Sequence, residues 1–194
     1  MANSNDTKNS EARTETLRHE ESGITIISNY LGNMLEGEQK TLGANDELIQ
    51  SASFKAGKLD GKFQLFDQKK LKTEQRYQQG KQHGESSYFD AENNKIGTAN
   101  YAEGERDGIT EWKTSEGKVS TRSSYKEGQL DGEQLEFHTN GNLRKKSLYK
   151  LGEIQGEVEY FETSGLRTDA SRTQRIMQPL RGLFKKMKQI KKES

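Results

Sequence analysis

The chain has 194 residues, of which 28% are hydrophobic and 31% charged, with a formal net charge of +1 and a mean hydropathy of −1.12. So polar a composition excludes a large globular core and, taken alone, borders on that of disordered chains. With no cysteine there is no disulfide framework and no thiolate metal site.

Residues 1–21 are rich in Asn, Ser, Thr and Glu without a sustained apolar period, and read as a disordered tail. They lack the apolar core of a signal peptide. No run approaches the ~18 apolar residues of a membrane helix, and the expected location is cytoplasmic. From Gly23 the segment SGITIISNY sets Ile24, Ile26 and Tyr30 on one parity, the period of a half-buried strand.

Six blocks of one pattern follow, beginning 23 or 24 residues apart at Tyr30, Phe54, Tyr77, Tyr101, Tyr125 and Tyr149. A fixed period of this length marks a repeat protein, in which each unit buries its apolar residues only against its neighbours. Three residues after the ring comes a first glycine: Gly57, Gly80, Gly104, Gly128 and Gly152. It is expected where the chain reverses, and in the first unit Asn33, beside Gly32, is expected to take its left-handed conformation.

A second glycine (Gly37, Gly61, Gly84, Gly108, Gly132, Gly156) is expected to open the next strand, leaving room for a ring or for adjoining backbone. Segments such as GEQLEF alternate as strands do, and polar turns follow at Thr114–Lys118 and His138–Asn142. The pattern predicts an all-β fold: about six β-hairpin repeats of 24-residue period over residues 22–166, forming an extended, twisted antiparallel sheet.

The ring row and a second row, Phe66, Phe89, Phe137 and Phe161, read as cross-strand core ladders rather than a stacking platform for sugars or bases. Glu36, Asp60, Asp107 and Asp131 recur at one position and read as solvated turn residues, with contact to a basic partner as the alternative. His19, His83 and His138 are scattered and accompany no catalytic motif. No catalytic residue, cofactor or metal site is expected.

Residues 167–194 hold nine Lys or Arg against two Asp or Glu, a net +7, so the preceding chain carries −6. Leu180, Leu183, Phe184 and Met187 recur at helical spacing, flanked by Lys185, Lys186 and Lys188, and predict a basic amphipathic helix. It has three readings: a cap on the last hairpin, an anchor on an anionic membrane, or an element that docks into a partner.

An aromatic residue, Gly at plus three, Gly at plus seven, a bulky residue at plus eleven or twelve, and a turn glycine followed by an aliphatic residue together resemble the MORN-variant repeat of YwqK-like bacterial antitoxins. The blocks at Tyr125 and Tyr149, completed by Gly141-Asn142-Leu143 and Gly165-Leu166, are the closest copies. The resemblance implies a non-enzymatic antitoxin or immunity protein that neutralises a cognate toxin or effector by direct binding. A membrane-associated scaffold and an effector chaperone or adaptor are the alternatives. No nucleic acid is expected as a partner, and the oligomeric state is left open.

Overall fold

The computed structural model describes residues 11–168, which form one open antiparallel sheet of fourteen strands. In chain order these are β1 (Ala12–Arg18), β2 (Thr25–Leu31), β3 (Met34–Leu42), β4 (Leu48–Lys55), β5 (Lys58–Asp67), β6 (Lys70–Gln78), β7 (Lys81–Gln82), β8 (Gly84–Phe89), β9 (Lys95–Ala102), β10 (Glu105–Lys113), β11 (Val119–Lys126), β12 (Gln129–Phe137), β13 (Leu143–Lys150) and β14 (Glu153–Tyr160). Each strand pairs with its sequence neighbour, except that the two-residue β7 hangs on β6 and the sheet passes from β6 to β8. The all-β, antiparallel expectation holds. No helix among the described residues is long and apolar enough to cross a membrane.

Two boundaries differ from the sequence reading. β1 lies inside the expected tail and pairs with β2 along its whole length. Every residue of β1 is exposed, so it carries no apolar alternation to betray it. Backbone pairing holds it, together with the Arg13 guanidinium, which lies 4.5 Å from the centre of the Tyr30 ring. At the other end, Arg167 and Thr168 extend the sheet: Arg167 bridges Phe161, and the Thr168 amide donates to the Tyr160 carbonyl at 2.7 Å. The predicted helix, with Leu180, Leu183, Phe184, Lys185, Lys186, Met187 and Lys188, lies outside the described residues.

Along one edge of the described sheet, five two-residue turns have positive φ at both central positions, from Ala56-Gly57 (49° and 77°) to Leu151-Gly152 (49° and 79°). This is the type I′ pattern, whose twist matches that of the flanking strands. In the first unit Gly32, at 60°, takes the left-handed position and Asn33 does not. Positive φ at the first position alone is the type II′ pattern, which removes the need for a left-handed Asn.

Gly84 opens β8 as expected, but the other second glycines lie inside their strands. Gly37, Gly61, Gly108 and Gly132 are each the fourth residue of theirs and sit in a bulge: Ala52 faces Phe63 and Phe54 faces Leu59, so β5 spends four residues where β4 spends two. Gly132 has φ +109°, and a Cβ there would stand 2.9 Å from the Ser124 Cβ. Room is needed against the preceding strand and not against a ring. The ring of the next unit instead faces each glycine in register, as in Gly61 with Tyr77 and Gly132 with Tyr149.

These bulges tie one unit to the next. Glu36, Asp60, Asp107 and Asp131 sit beside the bulge glycines and accept the backbone N–H of the following turn, from Ala56 (2.7 Å), Gln79 (3.0 Å), Glu127 (3.3 Å) and Leu151 (3.4 Å). The turn glycine donates to a carbonyl of the preceding unit, as Gly57 does to Leu35 and Gly152 to Leu130, both at 2.8 Å. The recurrent carboxylates are therefore caps on turn amides rather than freely solvated groups. His83 holds this position in the third unit, where the strand breaks into β7 and β8 and a Lys81–Glu103 ion pair (2.9 Å) joins the turns instead.

The fully buried side chains are small. Ser86, Ser147, Ala52 and Ala99 are the most deeply covered of the described residues, and the repeat rings are only half-buried. The expected apolar core is thus replaced by a line of small residues between larger ones.

Replacing a bulge glycine combines left-handed backbone with a clash, whereas a Cβ on the turn glycine Gly104 would meet no atom within 4 Å. Gly132→Ala is expected to cost about 1–3 kcal/mol. Gly104→Asn, which tolerates the left-handed region, should cost less than about 1 kcal/mol. Denaturant unfolding of the two variants measures the difference.

Candidate partner-binding face

Period-two alternation divides the sheet into two unlike faces. One ladder runs across it as Thr16, Ile27, Lys40, Ser51, Gln64, Glu74, Ser87, Thr98, Glu111, Arg122, Leu135, Lys146 and Glu159. Ion pairs lace this face, including Arg122–Glu111 (2.7 Å), Lys62–Glu74 (3.2 Å) and Lys146–Glu133 (2.5 Å). Exposed pairs of this kind contribute ~0–1 kcal/mol each and leave a solvated, self-compensated surface.

The opposite face is mostly uncharged. Its central ladder, Ser28, Gln39, Ala52, Phe63 and Gln75, then Ser86, Ala99, Thr110, Ser123, Gln134 and Ser147, is the line of small and amide residues. On one side lies the row of repeat rings. Successive rings stand on alternate strands, about 10 Å apart, with Leu35, Leu59, Gln82, Arg106 and Leu130 between them. They therefore do not stack on one another as the expected core ladder would.

On the other side runs Ile26, Thr41, Gln50, Leu65, Thr73, Tyr88, Gly97, Trp112, Thr121, Glu136, Lys145 and Tyr160. Here the centre of the sheet departs from its own pattern. Gly97 stands where other units have Ile26, Gln50, Thr73, Thr121 and Lys145, and Trp112 lies across it: a Cβ on Gly97 would fall 2.4 Å from the indole. The indole packs on Tyr88, with ring centres 5.0 Å apart and planes at 34°. Trp112 is still 36% exposed, and Leu65 on the same ladder 38%.

Arg106 is the second departure. Its position carries Leu35, Leu59, Leu130 and Ile154 in other units. Its guanidinium lies 5.1 Å from the centre of the Tyr125 ring and donates to the Tyr125 phenol at 3.2 Å. Tyr101 hydrogen-bonds it as well, which pushes its pKa up. Burial pushes the Tyr88 phenol up to about 12, aided by its hydrogen bond to Tyr101. Tyr88, Tyr101, Arg106, Trp112 and Tyr125 thus form one connected cluster.

Of the residues singled out in the sequence, Tyr101 and Tyr125 enter this cluster. The glycines Gly80, Gly84, Gly128 and Gly156 shape the backbone with positive φ, and Tyr30, Phe54, Tyr77 and Tyr149 continue the ring row. The histidines do not converge: His19 closes the first turn, His83 splits a strand, and the His138 ring contacts the Phe161 carbonyl at 2.9 Å. Among the described residues no group of three or more His, Asp or Glu could hold a metal ion. Sequence reading missed Gly97, Arg106 and the role of Trp112. The signal that marks them is that no other copy has a glycine, an arginine or a tryptophan at these positions.

Two outcomes test the cluster. Gly97→Ala should displace the indole, and because Trp112 is the only tryptophan its emission should shift toward that of a solvated indole. The Tyr88 phenol keeps its proton in the folded state above its ordinary value of about 10, so its contribution to stability should be constant below that pH and be lost as pH rises toward 12. Phenolate absorbance should show a smaller late step in Tyr88→Phe than in the wild type, the remainder coming from Tyr77, whose phenol burial also pushes up.

Residues 130–151, which span the hairpin of β12 and β13, match the family described as MORN repeat variant. No curated protein matches the chain.

Proposed function

We propose that this protein is a non-enzymatic binding module that neutralises a toxin or effector protein by covering it with the mostly uncharged aromatic face. The observation that carries the reading is the central cluster. Trp, Tyr and Arg are the side chains in which binding energy concentrates at protein interfaces, near their centres and surrounded by contacts that exclude water. Here they are grouped on the middle strands, partly exposed, with rings and small side chains on either side. The opposite face, with its charges already paired, offers much less unsatisfied chemistry.

A single-layer sheet suits inhibition by contact. It presents a long surface without needing a pocket, and a standard protein interface requires roughly 800 Å² per partner. Recognition of a toxin fits the resemblance of the repeats, and such a protein acts stoichiometrically with no turnover.

The test is co-expression with the toxin encoded by the neighbouring reading frame. The wild-type chain is expected to protect cells and to co-purify with that toxin. Trp112→Thr, which installs the residue of the first unit (Thr41), should keep the fold and cost at least about 2 kcal/mol of affinity. Protection that persists in Trp112→Thr with complex formation unchanged would remove this face from the reading. Protection by substoichiometric amounts would point to an enzyme instead.

A further inference from the structure

Arg106 differs from the other cations of its face in what surrounds it. On the same three ladders, Arg13 lies 2.8 Å from Glu15 and Lys145 3.0 Å from Glu136. Among the described residues, the acceptors that meet Arg106 are the phenols of Tyr101 and Tyr125. A guanidinium has five donors, so several remain open toward solvent. The neighbouring Asp107 is turned away, its carboxylate accepting the Glu127 amide. An uncompensated cation thus stands in an aromatic bed at the centre of an otherwise almost uncharged surface.

Resting on the reading of this face as a binding surface, we infer that the partner offers a carboxylate to Arg106 and an apolar side chain to the Tyr88–Trp112 stack. The guanidinium suits a carboxylate for two reasons: its fork matches the two oxygens, and its place over the Tyr125 ring, with the bond to that phenol, holds the fork in position. The two contact points are set by register. Arg106 faces Tyr101 and Trp112 faces Gly97, so they stand four residues apart along β9, about 13 Å. An acidic and an apolar side chain on one protein segment span that distance. A polyanion is a poorer match, because nucleic acid and anionic membranes are held by several basic residues acting together.

Arg106→Leu supplies the test without endangering the fold, because Leu35, Leu59 and Leu130 fill the same position elsewhere in the sheet. A random displayed peptide library is selected on the full wild-type chain, and binders are measured through the emission of Trp112. The expected peptides perturb that emission, carry Asp or Glu together with an apolar residue, and lose at least ten-fold in affinity for Arg106→Leu. Changing the peptide's acid to its amide should cost the wild type as much and the variant almost nothing. Peptides that perturb Trp112 but lack an acid, or that bind Arg106→Leu equally, overturn the inference while leaving the face a binding surface. Peptides that bind without perturbing Trp112, or a selection that yields none, overturn both. Binding to phosphatidylserine vesicles or to a single-stranded oligonucleotide that Arg106→Leu abolishes assigns the guanidinium to phosphate and also overturns it.

Discussion

Four turns on one edge of this sheet are held twice by the unit before them: a bulge carboxylate takes the first turn amide, and a backbone carbonyl takes the amide of the turn glycine. The rest of the structure depends on that tie. Among the described residues the sheet is one layer with no second layer to bury its side chains, so their packing alone selects register weakly. Cross-strand pairs contribute only about 0.2–1 kcal/mol each. A slip by one residue would exchange the charged face for the aromatic one along a whole strand. The bulge prevents this, because it fits only where a glycine with positive φ meets the small Cβ of Ser53, Asn100 or Ser124, and it brings the carboxylate under the next turn.

Register fixed in this way has a functional consequence. Once every unit repeats the same alternation, one face collects charges that compensate one another and the other collects rings, hydroxyls and amides. The buried line of Ser and Ala keeps the second face shallow, and large side chains flank it on both sides. A surface of that form can be covered by another protein with little desolvation cost, since few charges must lose water. It also explains how so hydrophilic a chain folds: the backbone ladder and the ties between units do much of the work that a core does elsewhere.

The repeat spacing made most of this legible. Ring, glycine and glycine at fixed intervals specify hairpins, and Gly57 or Gly128 after a ring specifies a reversal. Other features were hidden for physical reasons. β1 is exposed on both faces and leaves no hydrophobic period. The second glycine looks like a strand opener because a bulge adds residues without interrupting the alternation that follows it. The aspartates looked like solvated turn residues because the amides they cap come near only when the units stack: Asp60 and the amide it caps, that of Gln79, are nineteen positions apart. The candidate site was hidden because each of its residues is ordinary in isolation.

The repeat supplies its own control for deciding which residues the fold requires. A residue type found at one position in most units is accounted for by the sheet, as Leu is between the rings. Three residues that no other unit has at these positions, Gly97, Arg106 and Trp112, fall within β9 and β10 at the middle of the array: Gly97 meets the indole, the indole meets Tyr88, and Arg106 meets Tyr101 and Tyr125. The sheet gains little from them: Gly97 weakens a strand, and a guanidinium replaces a half-buried leucine. Gly97 makes sense only as the space into which Trp112 lies, and that placement is what brings the indole against Tyr88. Substitutions that disregard the pattern of the fold and yet fit one another are expected where selection acts on a surface rather than on stability. On that ground we propose the centre of the aromatic face, rather than either turn-lined edge, as the place where a partner would be recognised.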